Sequence, residues 1–418
     1  MNHIIITYFI VVSVLTVTVI AAIALRSMMP GKCLLRNPSG TRAWLEIDMD
    51  HLNHNVKMLR QLMPRGCEMM AVVKANAYGH GAKEISKNLN QMGITSFAVA
   101  TIDEGIELRK AGVRGDILIL GYTDINRIRE LIKYRLIQTI LDHEYALRIN
   151  ERSREALRVH IKIDTGMHRI GLPASDRKEL MELFRLEKLN VEGMYTHLCV
   201  CDSDKAEDIQ FTRKQIHDFS ELCDLLEDRG IKIPKRHIQS SYGLLNYPEV
   251  SCDYARIGIA LYGSLSSWGD KTNLQPDLLP VLSLKTKIVL IREINQGETV
   301  SYGRCFHAER NSRLAVLPIG YADGFPRTLS CEAGNVLLHG QQVPIVGRIC
   351  MDQLLIDITD VPEVACGDIV TLIGQDGLDE ISAAEVAVRS GSIANELLSR
   401  LGGRLERVYK QSNSNISH

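Results

Sequence analysis

Short apolar runs and helical patterns alternate along the first 275 residues of the chain. In residues 206–230 the apolar positions recur at the spacing of one helix face, as at Ile209, Ile216, Phe219, Cys223 and Leu226. Eight apolar runs of strand length lie at residues 68–74, 97–100, 116–120, 137–141, 159–164, 192–198, 237–240 and 254–257. Such alternation predicts an α/β fold, a (β/α)8 barrel of the TIM type, at residues 41–275. A doubly wound sheet is the alternative, but no G-x-G-x-x-G follows an early strand.

From residue 276 the pattern changes to strands with few helices between them. The segments that carry it are "LSLKTKIVLIREI", "SRLAVLPIGYA", "GNVLLHG", "QQVPIVGRICMDQLLIDI" and "GDIVTLIG". Two short helical patterns follow, near residues 382–389 and 393–401. We therefore predict a second, mostly β domain at residues 276–418.

The N-terminus differs from both domains, because residues 4–25 contain no charged side chain. A helix of this length spans a hydrocarbon core of ~30 Å. No Lys or Arg precedes the segment, as a signal peptide would require, whereas basic residues follow it at Arg26, Lys32, Arg36 and Arg42. The alternatives are a cleaved signal, a buried core helix and the last span of a larger membrane domain. We predict one transmembrane helix in an anchor and linker at residues 1–40, with the rest of the chain on the cytoplasmic side of the cell membrane.

Composition narrows the functional classes further. The net charge of −1 and the pI of about 6.9 give no basic field of the kind that nucleic-acid binding needs. The 10 cysteines are scattered through 418 residues without regular spacing. A chain of this size does not need disulfides for stability, so we expect reduced thiols.

A lysine stands where a buried strand ends and a flexible turn begins, in "AVVKANAYGHG" at residues 71–81. Burying an ammonium group is costly, so a lysine in such a place tends to lose its proton. Lys74 is therefore either a side chain that extends to solvent or an amine kept neutral to form a Schiff base. The stretch by itself leaves both readings open.

Other polar groups stand at the ends of the predicted barrel strands, where barrels of this type carry their functional groups. They are Asp164 to Arg169, His197, Ser241 and Arg256, with the glycine-flanked "RIGIALYG" at 256–263. An amine, hydroxyls and free backbone N–H groups together suit a phosphorylated aldehyde cofactor.

Taken in order, several motifs resemble those of the alanine racemase family. They are "AVVKANAYGHG", "HIKIDTGMHRIGL", "ARIGIALYG", "VSYG", "IGYADG" and "GRICMDQ". The resemblance covers about residues 41–410 and implies the same fold, a barrel followed by a β domain. It also implies pyridoxal 5′-phosphate as cofactor, a small amino acid (serine or alanine) as substrate and a homodimer with shared active sites.

The resemblance assigns Lys74 to the Schiff base and to one of two bases, and Tyr302 of the second subunit to the other. Racemisation removes a proton from one face of a planar carbanion and returns one to the opposite face, so two bases on opposite sides suffice. Lys and Tyr are weak bases at pKa values of about 10, so the pocket must lower at least one of them.

The same resemblance gives the cofactor its other contacts. Arg256 would face the pyridine nitrogen, oriented by His197, and a permanently charged guanidinium does not give up its proton. The phosphate would be bound by the side chains of Tyr78 and Ser241 and by the backbone of Gly258 and Ile259.

The remaining assignments concern the substrate. Arg169 would bind its carboxylate, held by Lys162, which is often carbamylated in the family. The backbone of Met351, beside Asp352, would reach the carboxylate from the partner subunit, and Tyr321 would line the entry.

One cluster suggests metal binding as an alternative. His197, Cys199 and Cys201 fall on one face of a strand, but three ligands crowded on one strand make a poor tetrahedron. We therefore expect no metal.

Asn395 is where the sequence departs from alanine racemases, which usually carry a tyrosine that closes the pocket over the substrate's methyl group. Asparagine is smaller and offers a donor and an acceptor, so it leaves room for a β-hydroxyl. With the membrane segment, it resembles the membrane-bound serine/alanine racemases of vancomycin-resistance clusters, which supply D-serine for peptidoglycan precursors. The alternative is a pocket that still prefers alanine.

Three other classes of protein are possible on this fold. Pyridoxal-dependent decarboxylases lack the "VSYG" and "DTGMHRIG" motifs that stand here. A pyridoxal-phosphate carrier would be a barrel alone. A membrane-tethered protein that binds amino acids without turning them over would need neither Lys74 nor Tyr302 as a base.

Overall fold

The computed structural model describes residues 40–412, and residues 42–411 form one compact unit. Its first part is a barrel of parallel strands that alternate with helices. The eight strands run over Glu68–Val72, Ser96–Val99, Asp116–Ile119, Ile137–Ile140, Leu157–Asp164, Leu189–Tyr195, Arg236–His237 and Tyr254–Ile257. The last strand pairs with the first, Tyr254 opposite Glu68, so the sheet curls back on itself. The predicted barrel is confirmed.

The strands are buried on both faces, as parallel strands covered by helices must be. Where Arg236–His237 meets Tyr254–Ile257 there is no regular ladder, and backbone bonds from Asp253 N to Arg236 O (2.8 Å) and from Arg256 N to Gln239 O (3.0 Å) close the barrel. The helices of this part span Met49–Leu62, Lys74–Tyr78, Ala82–Gln91, Ile102–Lys110, Ile128–Lys133, His143–Arg152, Arg177–Leu183, Ala206–Asp228 and Ser241–Asn246.

The second part is the predicted β domain. Its strands span Leu282–Lys287, Leu290–Ile294, Thr299–Val300, Phe306–His307, Ser312–Leu317, Asn335–Leu338, Gln341–Val346, Leu354–Asp357, Ile369–Asp376, Asp379–Ile381 and Glu406–Lys410. Two helices, Ala383–Arg389 and Ala394–Arg400, follow close to the predicted positions.

One strand lies in a different sheet from the one its place in the chain suggests. Ala43–Asp48 falls within the predicted barrel range, but it pairs antiparallel with Leu282–Lys287 and parallel with Glu406–Lys410. Its first three residues are all buried, so both faces are covered as in the barrel strands, and the choice of partner is made by tertiary packing. The β domain therefore contains strands from both ends of the described chain.

The cysteines depart from the expectation of reduced thiols. Cys305 and Cys331 form a disulfide across a separation of 26 residues, with their Cα atoms 6.6 Å apart. The fold brings these two residues together, and nothing in their spacing along the chain marks them as partners. Seven further cysteines in the described range are free.

Membrane insertion was predicted for residues 4–25, which lie outside the described range. Within residues 40–412, no helix has the length and the apolar character that a transmembrane span requires.

Candidate active site

A cavity of about 500 Å³ opens at the carboxyl ends of the barrel strands. Most of the residues singled out in the sequence line it: Lys74, Tyr78, Lys162, Arg169, His197, Ser241, Arg256, Gly258, Ile259 and Asn395. Tyr302, Tyr321, Met351 and Asp352 are not among its lining residues. The cavity is therefore formed by the barrel, with Asn395 as the β domain's contribution.

Lys74 is directed by an unusual turn. Directly after it, four residues in succession, Ala75 to Tyr78, have φ between 50° and 55°, the left-handed region. Each such residue costs about 1–2 kcal/mol, so the turn needs external support. Glu104 Oε1 accepts from Ala75 N at 2.7 Å, and Asn76 Oδ1 accepts from Ala82 N at 2.8 Å. The turn brings Lys74 and Tyr78 to the same cavity. Its left-handed backbone conformation was not predicted from the sequence.

Two lysines line the cavity, and their surroundings differ. Burial lowers the pKa of Lys74, with the nearby Arg169 guanidinium adding to the effect. Burial, and then Arg256, lower the pKa of Lys162 to about 7. Lys162 is only 2% exposed, and its Nζ donates to the Ile163 carbonyl at 2.5 Å. Lys162 is thus held in place. Lys74 makes no hydrogen bond through its amine to any of residues 40–412, so it is the better placed nucleophile.

Arg256 is buried in a dense set of acceptors. Its Nη1 donates to the His237 carbonyl and to His237 Nδ1, both at 3.0 Å. Its Nη2 lies 2.7 Å from the Thr196 carbonyl and 3.3 Å from His197 Nδ1. Burial lowers the pKa of Arg256 to about 10, which still leaves it protonated at neutral pH. The guanidinium is a fixed, permanently charged donor at the cavity wall.

Two histidines behind Arg256 were missed in the sequence. A guanidinium only donates, so Nδ1 of His237 must accept, and its Nε2 then carries the proton. That Nε2 lies 2.9 Å from Nδ1 of the buried His160. Burial keeps the pKa of His160 low, at about 3, so both rings are neutral and orient the arginine without adding charge. Both histidines lie among apolar strand residues, and no sequence motif indicated that they would orient Arg256.

A small cradle faces Tyr78. Ser241 Oγ accepts from the backbone N–H of Gly258 at 3.1 Å and of Ala260 at 3.3 Å. A Cβ on Gly258 would come within 2.7 Å of the Tyr78 hydroxyl, so only glycine allows this approach. The N–H groups of Gly258 and Ala260 are thus paired with Ser241, and the hydroxyls of Tyr78 and Ser241 that converge at this end of the cavity suit a phosphate group.

Arg169 stands at the mouth of the cavity, on the turn that follows the strand Leu157–Asp164. Asp164 Oδ1 accepts from the backbone N–H of Gly166 and Met167, both at 3.0 Å, and so closes this turn. Burial alone would raise the pKa of Asp164, but the N–H donors of the turn prevail and lower it. The ionised carboxylate stabilises the turn that carries the exposed Arg169.

The four predicted residues of the β domain share one surface. Tyr302 is 68% exposed and Met351 is 53% exposed. Tyr321 N donates to the Cys350 carbonyl at 3.1 Å, which ties the Tyr321 turn to the segment of Met351. The turn before Tyr302 is tied to the same segment, because Ser301 Oγ donates to the Arg348 carbonyl at 2.7 Å. Asp352, the fourth, accepts from Arg404 Nη2 at 2.8 Å.

Asn395 lies in the first turn of the helix Ala394–Arg400 and lines the cavity. Its Oδ1 is buried and has no hydrogen-bond partner among the described residues. Leaving a buried polar atom unpaired costs about 1–3 kcal/mol. Such an atom is available to a ligand.

Replacing Gly258 with alanine should weaken binding of pyridoxal 5′-phosphate by about tenfold or more, because the new Cβ displaces the Tyr78 hydroxyl from the cradle. Absorbance titration of the apoprotein measures the affinity. Gly403→Ala is the matched control, since nothing lies within 4 Å of a Cβ there. Equal affinities in the two variants would contradict the assignment of the cradle.

Comparison with known proteins agrees with this geometry. The model of the alanine racemase N-terminal domain matches residues 47–266, and that of the C-terminal domain matches residues 281–409. The chain is 49% identical over 399 residues to an amino-acid racemase of Enterococcus faecalis, covering 95% of this chain and 55% of that protein. It thus spans about half the length of this relative and of a second one, 51% of which it covers.

Shorter relatives and solved structures match along most of their length. The alanine racemase of Clostridium tetani is 40% identical over 374 residues, which are 88% of this chain and 95% of that one. The structure of Clostridium difficile alanine racemase superposes with a TM-score of 0.83 at 35% identity, covering 89% of this chain and 97% of that one. Alanine racemases depend on pyridoxal 5′-phosphate, for which the cavity offers a lysine and a phosphate cradle. The chain belongs to the alanine racemase family.

Proposed function

We propose that this chain is a pyridoxal-phosphate-dependent racemase that interconverts L- and D-serine and also accepts alanine. The observation that carries the proposal is the cavity itself, in which Lys74, the buried Arg256 and the cradle at Gly258 face one another. A reactive amine, a fixed cation and a phosphate site are what the cofactor's three ends require.

Each residue then has a definite task. Bound in the cavity, the cofactor would withdraw electrons from the substrate's α-carbon and make its proton acidic. Lys74 would hold the cofactor covalently and move a proton at one face of that carbon. Arg256 keeps its own proton and contributes only a hydrogen bond and a charge. Arg169, which is exposed and lines the cavity, would bind the substrate carboxylate.

Lys162 would support Arg169 from below. A pKa of about 7 leaves about half of its amine neutral at neutral pH, and a neutral amine is the form that reacts with carbon dioxide. We propose that Lys162 is carbamylated, which would turn a buried cation into an anion beside Arg169.

The second base would come from another copy of the chain. Tyr302 is exposed and lies outside the cavity lining, together with Tyr321 and Met351 on the same surface. Exposed aromatic and methionine side chains gathered in this way are typical of interfaces. We propose a homodimer in which the partner subunit's Tyr302 serves the opposite face of the α-carbon and the partner's Met351 segment reaches the carboxylate.

Serine is proposed as substrate because of Asn395. A site that hydrogen-bonds a substrate hydroxyl rejects analogues without one strongly, whereas an apolar pocket excludes an added hydroxyl weakly. The unpaired Oδ1 of Asn395 supports such a bond. We propose further that the chain acts at the cell membrane, anchored through residues 4–25, and supplies D-serine for peptidoglycan precursors like the vancomycin-resistance racemases it resembles.

The direct test is kcat/KM for L-serine and L-alanine, measured side by side on the full chain loaded with pyridoxal 5′-phosphate. Comparable or higher values for serine would support the proposal. A preference for alanine of about a thousandfold, ~4 kcal/mol in transition-state binding, would make the chain an alanine racemase instead. Binding of both amino acids without turnover would identify a non-catalytic binding protein.

Replacing Asn395 with tyrosine should lower the ratio of serine to alanine kcat/KM by about 10–100-fold, because the phenol fills the space and removes the amide. Ser399→Tyr is the matched control, as it adds a tyrosine to an exposed position of the same helix. An unchanged ratio in Asn395→Tyr would mean that this position does not determine specificity.

A further inference from the structure

The segment 264–270 contacts the cavity beside Asn395. Ser266 lines the cavity, and its carbonyl accepts from Ala394 N at 2.7 Å. Ala394 is the residue directly before Asn395, so this backbone bond sets Ser266 next to the asparagine. The two polar side chains belong to different elements, and the bond between those elements fixes their separation.

The other backbone group of Ser266 is anchored as well. Its N–H donates at 2.7 Å to the hydroxyl of Tyr242, which is buried and in turn donates to the Asp270 carboxylate. The same carboxylate accepts from Ser267 N at 2.9 Å. The backbone of Ser266 is therefore fixed through both its donor and its acceptor.

The side chain of Ser266 stands in a half-buried position on the cavity wall. Its hydroxyl hydrogen-bonds the phenol of Tyr242, as its backbone N–H does. A serine hydroxyl has one donor and two acceptor sites, so this bond leaves its oxygen able to accept from a ligand. The Oδ1 of Asn395 is buried and has no hydrogen-bond partner among the described residues. The two side chains form a small polar corner in a cavity whose other end carries the phosphate cradle.

We propose that Ser266 is a second specificity-determining residue, which together with Asn395 binds the hydroxyl on the β-carbon of serine. This inference rests on the proposed function. A hydroxyl both donates and accepts, and the pair can satisfy both requirements, because the asparagine amide offers a donor and an acceptor and the Ser266 oxygen can accept a further bond beside the one to Tyr242. The methyl group of alanine would leave the Asn395 Oδ1 unpaired. Asp270 is a positioning residue, which acts on Ser266 through Tyr242.

The test is Ser266→Ala in the full chain loaded with pyridoxal 5′-phosphate. We expect kcat/KM for L-serine to fall about tenfold and that for L-alanine to stay within about twofold. Ser267→Ala is the matched control, because this neighbour bonds Asp270 through its backbone and is not part of the cavity wall. An unchanged ratio in Ser266→Ala would overturn the proposal. So would weaker cofactor binding with an unchanged ratio, since the hydroxyl would then serve the phosphate.

A second pair of variants tests the positioning. Asp270→Ala removes the acceptor for both Tyr242 and Ser267 and should lower the ratio of serine to alanine kcat/KM about as much as Ser266→Ala does. Asp270→Asn keeps an oxygen that accepts the same bonds and should restore the ratio. Loss of activity on both substrates in equal measure, in both variants, would show a merely structural role. Absence of serine turnover in the wild-type chain would instead overturn the proposed function, and this inference with it.

Discussion

Replacing Tyr302 with phenylalanine should lower kcat for racemisation by about 10²–10⁴-fold, the usual contribution of a general acid–base group. The side chain is 68% exposed and outside the cavity lining, so the change should leave the fold and the cofactor site intact. Racemisation is followed by circular dichroism of the amino acid, and cofactor binding by its visible absorbance. A loss of rate with full absorbance is the expected result.

Hydrogen exchange makes this experiment sharper. With Lys74 still present, one enantiomer should exchange its α-hydrogen with deuterated solvent, while the other should not. Tyr134→Phe is a suitable control, because Tyr134 is half-buried and remote from the cavity wall. Exchange of both enantiomers at wild-type rates in Tyr302→Phe would exclude Tyr302 as a base.

Replacing Lys74 with alanine should abolish covalent attachment of the cofactor and lower racemisation by more than about 10⁴-fold, because the nucleophile and one base are lost together. Lys162 also lines the cavity, and burial lowers its pKa to about 7. However, its amine is bonded to the Ile163 carbonyl and is buried, so we expect no attachment there. Borohydride reduction followed by peptide mass mapping identifies the modified lysine.

The wild-type chain should carry the reduced cofactor on Lys74 and none on Lys162. Lys87→Ala, at an exposed position, is the control for a general effect of removing a lysine. Modification of Lys162, or persistence of the modification in Lys74→Ala, would show that the cofactor attaches to a lysine other than Lys74.

Local patterns sufficed for the barrel and for much of its cavity. Strand runs such as 116–120 and 254–257 are short and apolar, and their ends fall at one rim, so Lys74 and Arg256 could be expected to meet. The partner of the strand Ala43–Asp48 could not be predicted, because its pattern fits several neighbours and the pairing joins residues more than 200 positions apart.

Features that depend on tertiary contacts were also missed. The left-handed turn after Lys74 is made of ordinary residues and exists because Glu104, from another helix, binds its backbone. His160 and His237 sit inside apolar strands, and only their contact with each other and with Arg256 gives them a role. The Cys305–Cys331 disulfide likewise follows from the folded arrangement. The proposed role of Ser266 also depends on tertiary contacts, its hydrogen bonds to Tyr242 and Ala394.

For the predicted site residues of the β domain, the structure of a single chain does not show how they would reach the cavity. The motifs around Tyr302, Tyr321 and Met351 place them with Lys74 through the family resemblance, yet one chain keeps them on its surface. A site completed by symmetry is incomplete in each subunit alone, which explains this separation if the dimer forms as proposed.

Complementation between two inactive variants tests the shared site most directly. Lys74→Ala and Tyr302→Phe chains, carrying different affinity tags, are co-expressed, and the mixed dimers are isolated by two successive purifications. If each cavity uses the partner's tyrosine, one of the two sites in a mixed dimer keeps both bases, and about half of the wild-type activity should return. If the tyrosine acts within its own chain, or not at all, every site lacks a residue and the mixed dimer should be as inactive as its parents.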